Sequence, residues 1–240
     1  MKFVVIGAPR TGTTMFLITL NTLKEFETYG EVLVMNRKNP VPHPQKHIEN
    51  FRKRTFEAST KRGGGDMREF VKWLFTTGEN VGFKFLYQHA IRMPQVVNYI
   101  RNPKNNIYKV HLRRKNPVKR AISGRLNKYH HYGKGNNSVN PQGVLKSVNE
   151  SRKWDEKLVK MFSGDKYMDL YFEDFTKDTN ANIIDFTEVF EFFGLDINPM
   201  VKVPTKKYGP DKLKDRVGNY GALYKYFKQN APEYLKYVEE

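Results

Sequence analysis

Gly7-Ala8-Pro9-Arg10-Thr11-Gly12-Thr13-Thr14 joins an apolar, β-rich run over residues 2–6 to a helical pattern over 13–23. Glycines let the backbone turn tightly, so that N–H groups converge on an anion. The start of the following helix adds positive dipole character at the same point. Thr11, Thr13 and Thr14 bring hydroxyl donors, and Arg10 brings a cation inside the turn. The Gly-x4-Gly spacing matches a Walker A loop, but that motif continues with Lys and then Ser or Thr. Thr13 stands where the Lys belongs. No apolar run ends in the Asp that would hold Mg²⁺ beside such a loop; the run over 107–112 leads instead into Arg113-Arg114-Lys115. The segment therefore reads as a phosphate cradle that is poorly suited to metal-assisted ATP hydrolysis.

Outward from the loop, strand and helix signals alternate. Strands are expected over 32–35, 81–87, 107–112 and 167–172. Helices are expected over 67–75 behind Asp66, over 93–100, over 117–129 behind Asn116-Pro117, and from Asn140-Pro141 to 162. A further amphipathic helix is expected over 181–193, closed by Gly194, with Phe186, Val189, Phe190 and Phe193 on its core face. Segments 36–44, 51–65, 130–138 and 198–215 read as loops, and one or two short helices close the chain. This alternation implies an α/β protein: three layers, with a mostly parallel sheet flanked by helices, forming one domain over 1–240. Ligands in such sheets sit at the carboxyl ends of the strands.

Composition narrows the function. The 240 residues are 39% hydrophobic and 14% aromatic, enough for a core, and the formal charge is +17. Residues 80–149 hold 14 Lys or Arg and no Asp or Glu, so most of the excess lies there. Cations bunched at a strand end point to a polyanionic ligand: a nucleotide, a nucleic acid or an acidic glycan. Cysteine is absent, which excludes disulfides, thiolate metal sites and a cysteine nucleophile. No apolar run approaches the ~20 residues of a membrane span, and the start lacks a secretory pattern. A cytoplasmic location is expected. His130-His131 has no acidic or histidine neighbour in the chain, so no metal site is expected.

The loop and the basic centre together resemble the sulfotransferases that use 3′-phosphoadenosine-5′-phosphosulfate (PAPS), in the style of the bacterial and Golgi carbohydrate enzymes. Pro9 to Thr14 resembles that family's 5′-phosphosulfate loop. Leu112-Arg113-Arg114-Lys115-Asn116-Pro117-Val118-Lys119-Arg120-Ala121-Ile122-Ser123 resembles its 3′-phosphate motif, with Lys115 where the family commonly has Arg. Val81 to Tyr87, Tyr171-Phe172-Glu173-Asp174-Phe175 and Asp215 to Tyr220 resemble three weaker family segments in the expected order; Phe172 interrupts the usual Tyr-Glu-Asp. The resemblance implies a P-loop-like sulfotransferase fold and PAPS as sulfuryl donor. It implies that Arg10, Thr11, Gly12, Thr13 and Thr14 hold the 5′ end. Arg114 or Lys115, with Ser123, would hold the 3′-phosphate, and Arg216 and Gly218 would cover the nucleotide. It also implies a hydroxyl-bearing acceptor, a small molecule or glycan, with Arg10 at the leaving phosphate. Glu31 or His89 would be the general base, and Lys84 is a lesser candidate for substrate contact. Glu173 and Asp174 read as structural partners of the basic centre, and Trp154 as packing.

Two alternatives remain. A nucleic-acid-binding protein would use the acid-free stretch with its interspersed tyrosines, but leaves the phosphate loop without a role, so a nucleic-acid partner is disfavoured. A small-molecule or nucleoside kinase conflicts with Thr13 at the Walker lysine position.

Overall fold

The structure is a computed structural model that describes residues 1–33, 50, 53–58, 66–126, 137–176, 183–204 and 212–240. Its centre is a parallel five-stranded sheet built from β1 (Lys2–Gly7), β2 (Phe26–Tyr29), β3 (Asn80–Leu86), β4 (Ile107–Arg113) and β5 (Tyr167–Tyr171). The spatial order is β2-β3-β1-β4-β5. β1 lies in the middle, paired to β3 on one side and β4 on the other, with Val5 opposite both Lys84 and Val110. The chain reverses its direction of travel across the sheet at β1, so the crevice beyond its carboxyl end is the expected ligand position.

The period-2 alternation of β1 shows why it sits there. Phe3 and Val5 join one apolar cluster, with α1 (Thr13–Leu20) and α8 (Thr187–Phe193). Val4 and Ile6 join the opposite cluster, with α2 (Met67–Leu74), α4 (Pro94–Arg101) and the end of α6 (Pro141–Phe162). All four side chains are fully buried. Each contributes about 1.5–3 kcal/mol of burial, so the strand is fixed from both faces, as a continuous apolar run demands. A third cluster joins α5 (Pro117–Leu126) and α6 to α9 (Leu213–Arg216), α10 (Tyr220–Asn230) and α11 (Leu235–Glu239). The short helices α3 (Tyr87–Arg92) and α7 (Phe172–Phe175) begin directly at the ends of β3 and β5.

Local chemistry sets the boundaries. Asp66 accepts from Arg68 N at 2.8 Å and opens α2, Asn116 accepts from Lys119 N at 2.8 Å at α5, and Asn140 accepts from Gly143 N at 3.2 Å at α6. Four expectations are corrected. The second strand is Phe26–Tyr29, not 32–35. Thr28 Oγ1 donates to Leu17 O, and Phe26 to Tyr29 pair with β3, whereas Val32 and Leu33 are buried in the turn that follows. The helix expected over 181–193 starts at Thr187, because Asp185 accepts from both Thr187 N and Thr187 Oγ1, and Ile183–Asp185 forms β6. The loop over 198–215 contains β7 (Met200–Lys202), antiparallel to β6, and α9. The expected loop over 51–65 is helical where it is described, over residues 53–58, and its remainder, the loop over 36–44 and the His130-His131 pair lie outside the described residues. Among those described, no helix is long and apolar enough to cross a membrane.

Candidate active site at the strand ends

The turn after β1 is shaped by what cannot fit in it. A Cβ on Gly7 would stand 2.7 Å from Leu112 O and 2.8 Å from Thr11 Oγ1. Gly12 has φ +94°, and a Cβ there would lie 2.2 Å from the Phe172 ring. Arg10 holds φ +72° as well, a conformation uncommon for a residue with a side chain and worth about 1–3 kcal/mol of local strain. Gly12 is the N-cap of α1 and supplies no side-chain hydrogen bond. The first N–H groups of the helix thus face the crevice without a side-chain cap, the usual arrangement for receiving an anion.

The threonines divide. Thr11 Oγ1 donates to Ala8 O at 2.9 Å and is buried, so its hydroxyl closes the turn. Thr13 is also buried, with its methyl group against Gly7, while Thr14 is exposed. Backbone N–H groups and Thr14 are therefore what the loop presents outward.

The cations converge from separate elements. Arg10 Nε donates to Ser123 Oγ at 3.2 Å, which joins the loop after β1 to α5. Arg114, just past β4, lies over the Phe172 ring with Cζ 3.6 Å from its centroid, and its Nη1 contacts Glu173 at 3.4 Å. Burial pulls the Arg114 guanidinium below its ordinary pKa; Glu173 raises it again, and the charges of Arg10 and Arg216 lower it further. Among the described residues Arg114 Nε is buried without a hydrogen-bond partner, as are Arg113 Nε and Arg216 Nε.

The neighbouring cations are otherwise engaged. Arg113 pairs with Asp169 and lies over Tyr171 at 4.8 Å. Lys115 pairs with Asp174, and that hydrogen bond raises its pKa. Glu173 also accepts from Lys115 N at 2.9 Å. Glu173 and Asp174 therefore hold the basic centre in place.

At the ends of β2 and β3, Lys84 Nζ lies 2.8 Å from Glu31 Oε1 and 3.1 Å from Thr14 Oγ1. Lys84 is 6% exposed. A lysine in this apolar strand reads from sequence as a solvated residue; its burial and its bridge to the start of α1 come from the pairing of β1 with β3. His89 is placed differently: it is buried, its Nδ1 accepts from Leu86 N at 3.1 Å, and its ring meets Phe85 edge-on. Gly218 N donates to Asn137 O at 3.3 Å, and Asn219 exchanges two hydrogen bonds with Val139, so the 215–220 segment is tied to the residues leading into α6.

A cleft of about 330 Å³ opens beside Arg10, between the β1 and β3 ends and helices α5 and α6. Its wall includes Tyr87 and Trp154, stacked at 5.0 Å and 24°. Trp154 thus packs, as expected, yet also lines an opening.

No family model matches the sequence, and no curated protein matches it. Among solved structures the chain is similar to a sulfotransferase from Alicyclobacillus acidocaldarius, at 14% identity and a TM-score of 0.46, over 99% of this chain and 95% of that one. It is similar to sulfotransferase STF9 from Mycobacterium avium, at 12% identity and a TM-score of 0.48, over 97% and 76%. It is also similar to the sulfotransferase domain of the Synechococcus PCC 7002 olefin synthase, at 14% identity and a TM-score of 0.45, over 92% and 85%.

Proposed function

We propose that residues 1–240 form one domain that transfers the sulfuryl group of PAPS to a hydroxyl of a polar acceptor, in the manner of carbohydrate sulfation. The observation that carries this reading is the junction of two anion-holding elements: Arg10 of the loop meets Ser123 of α5 at 3.2 Å, and Arg114 lies over the Phe172 ring that abuts Gly12 of the same loop. A ligand with phosphate groups at two ends suits that junction better than one with a single phosphate chain. At the end of β4, where a Mg²⁺-dependent nucleotide hydrolase keeps a carboxylate, this chain has Arg113-Arg114.

The residues fit the nucleotide. Gly12 opens α1 without a side-chain cap, and Arg10 and Arg114 stand at the same strand ends. Arg10, the loop N–H groups and Thr14 would hold the 5′ end; Arg114 and Ser123 would hold the 3′-phosphate, with Arg216 nearby. When bound, PAPS supplies an activated sulfuryl group on a leaving phosphate. Arg10 stabilises negative charge at that phosphate. Glu31 accepts the proton of the acceptor hydroxyl at its carboxylate. Lys84 orients Glu31 toward the start of α1 and keeps the base and the phosphate loop in one register.

The test compares adenosine 3′,5′-bisphosphate with AMP, and with ATP plus Mg²⁺, by thermal shift and calorimetry. The bisphosphate is expected to raise Tm and to bind about 10–100-fold tighter than AMP, the worth of charge-assisted bonds to the second phosphate. Preference for ATP with Mg²⁺ would favour a kinase and refute this reading. Transfer of labelled sulfate from PAPS to a hydroxyl completes the test.

A further inference from the structure

The cleft beside Arg10 carries chemistry that the donor does not use. Its lining includes Tyr87, Arg120, Arg125, Ser147, Glu150 and Trp154. Arg120 is 8% exposed. Among the described residues its guanidinium makes a single hydrogen bond, from Nη2 to Ser147 O at 3.2 Å, and has no carboxylate within 4.0 Å. A guanidinium has five N–H donors and is seldom buried unpaired. Burial lowers its pKa, and Asp155 and Tyr87 raise it from longer range. Arg125 is fixed by Gly143 O and Ser147 Oγ, so it forms part of the wall. With Arg10 given to the donor, the lining keeps Arg120 and Arg125 with one carboxylate, Glu150, and Asp155 acts on Arg120 from outside the lining.

We infer that this cleft is the acceptor site, and that it takes a hydroxylated ring bearing an anionic group, a uronic-acid type of sugar unit, with Arg120 reading the anion. Calling the ligand an acceptor rests on the proposed transfer reaction. The size lies at the low end of small-ligand pockets, about 300–1,000 Å³, which suits one or two rings and not a long chain. Tyr87 and Trp154, stacked on each other, line the cleft and can contact the C–H groups of a ring. Glu150 and Ser147 can engage its hydroxyls. The excess of positive charge selects against neutral rings of the same shape.

Two probes isolate the anion: phenyl β-D-glucuronide and phenyl β-D-glucoside, which differ at one carboxylate. The chain has two tryptophans, Trp73 and Trp154. In a Trp73→Phe background, Trp154 alone reports binding by fluorescence. The glucuronide is expected to quench it with an affinity about tenfold or more above that of the glucoside. Arg120→Gln should weaken the glucuronide about 10–100-fold and leave the glucoside unchanged. Arg120→Lys should keep part of the preference. The Tm rise with adenosine 3′,5′-bisphosphate checks that each variant folds. Equal affinity for both probes without any substitution, or an unchanged glucuronide affinity in Arg120→Gln, overturns the inference. A bisphosphate that stabilises while neither probe binds overturns the cleft and spares the donor reading. A glucuronide that binds while the bisphosphate does not stabilise overturns the donor reading and leaves the anion site.

Discussion

Substituting Gly12 by Ala strains the phosphate loop and disturbs Arg114 through one ring. At φ +94°, an alanine costs about 1–2 kcal/mol in backbone alone. Its methyl group would also lie 2.2 Å and 2.5 Å from two Phe172 atoms, and such overpacking costs a further ~1–3 kcal/mol. The sum is about 2–5 kcal/mol, or a Tm drop of about 4–20 °C at this chain length. Phe172 cannot yield without consequence, because Arg114 rests over the same ring at 3.6 Å from its centroid. Adenosine 3′,5′-bisphosphate should therefore bind more weakly to the folded Gly12→Ala protein. Urea unfolding of Gly12→Ala, Phe172→Ala and the double variant separates the two costs. The double variant should be more stable than additivity requires by about 1–3 kcal/mol, since the methyl group then has space. Strict additivity, or a Gly12→Ala penalty below about 0.5 kcal/mol, would refute the wedge between loop and arginine.

Glu31→Gln should lower the rate of sulfate transfer about 10²–10⁴-fold while leaving bisphosphate affinity unchanged; His89→Gln should instead lower stability by about 1 kcal/mol with a near-normal rate, since His89 Nδ1 accepts a backbone bond. Calorimetry of Arg114→Gln should show a loss of about 10–100-fold in bisphosphate affinity, whereas Lys115→Gln, exposed and tied to Asp174, should lose no more than about fivefold. Burial, with the hydrogen bond to Glu27 next, pushes the Tyr29 hydroxyl up from 10.0 to about 12. The unfolded chain then releases that proton first. The contribution is complete below pH 10 and falls as pH rises from there toward about 12; urea midpoints of Tyr29→Phe should decline less across that window than those of the unsubstituted protein.

Where the chemistry is local, the sequence was sufficient. Gly7, Arg10 and Gly12 announce a tight strand-to-helix turn, and the Asn-Pro pairs at 116–117 and 140–141 mark helix starts; the structure keeps all three. The misread elements depend on distant partners. Phe26–Tyr29 carries Glu27 and Thr28, so its apolar signal is weaker than that of Val32-Leu33, and only pairing with β3 makes it a strand. Phe172 appears in sequence as an interruption between Tyr171 and Glu173. Its place against Gly12 and Arg114 arises because β1, β4 and β5 end at one edge. Lys84 likewise becomes legible only once β3 lies beside β1, within reach of Thr14.

The acid-free stretch over 80–149 suggests an extended cationic face, and among the described residues the three cations that leave β4 do not form one. Arg113, Arg114 and Lys115 meet Asp169, Glu173 and Asp174 in turn, so β5 and α7 supply one carboxylate for each cation leaving β4. Acidic residues of the last third of the chain thereby pair with three of the fourteen cations of residues 80–149 across a parallel strand pair. What remains is a small centre where Arg10 contacts a hydroxyl instead of a carboxylate, and where Arg114 is burdened by Arg10 and Arg216 despite Glu173. A polynucleotide groove needs many exposed cations that release counterions, and its affinity falls steeply with salt. Paired arginines release few. A framed excess of charge at one crevice suits a compact polyanion, for which a correspondingly shallow salt dependence is expected. The distribution of the carboxylates, more than the total of +17, therefore favours a nucleotide over a nucleic acid.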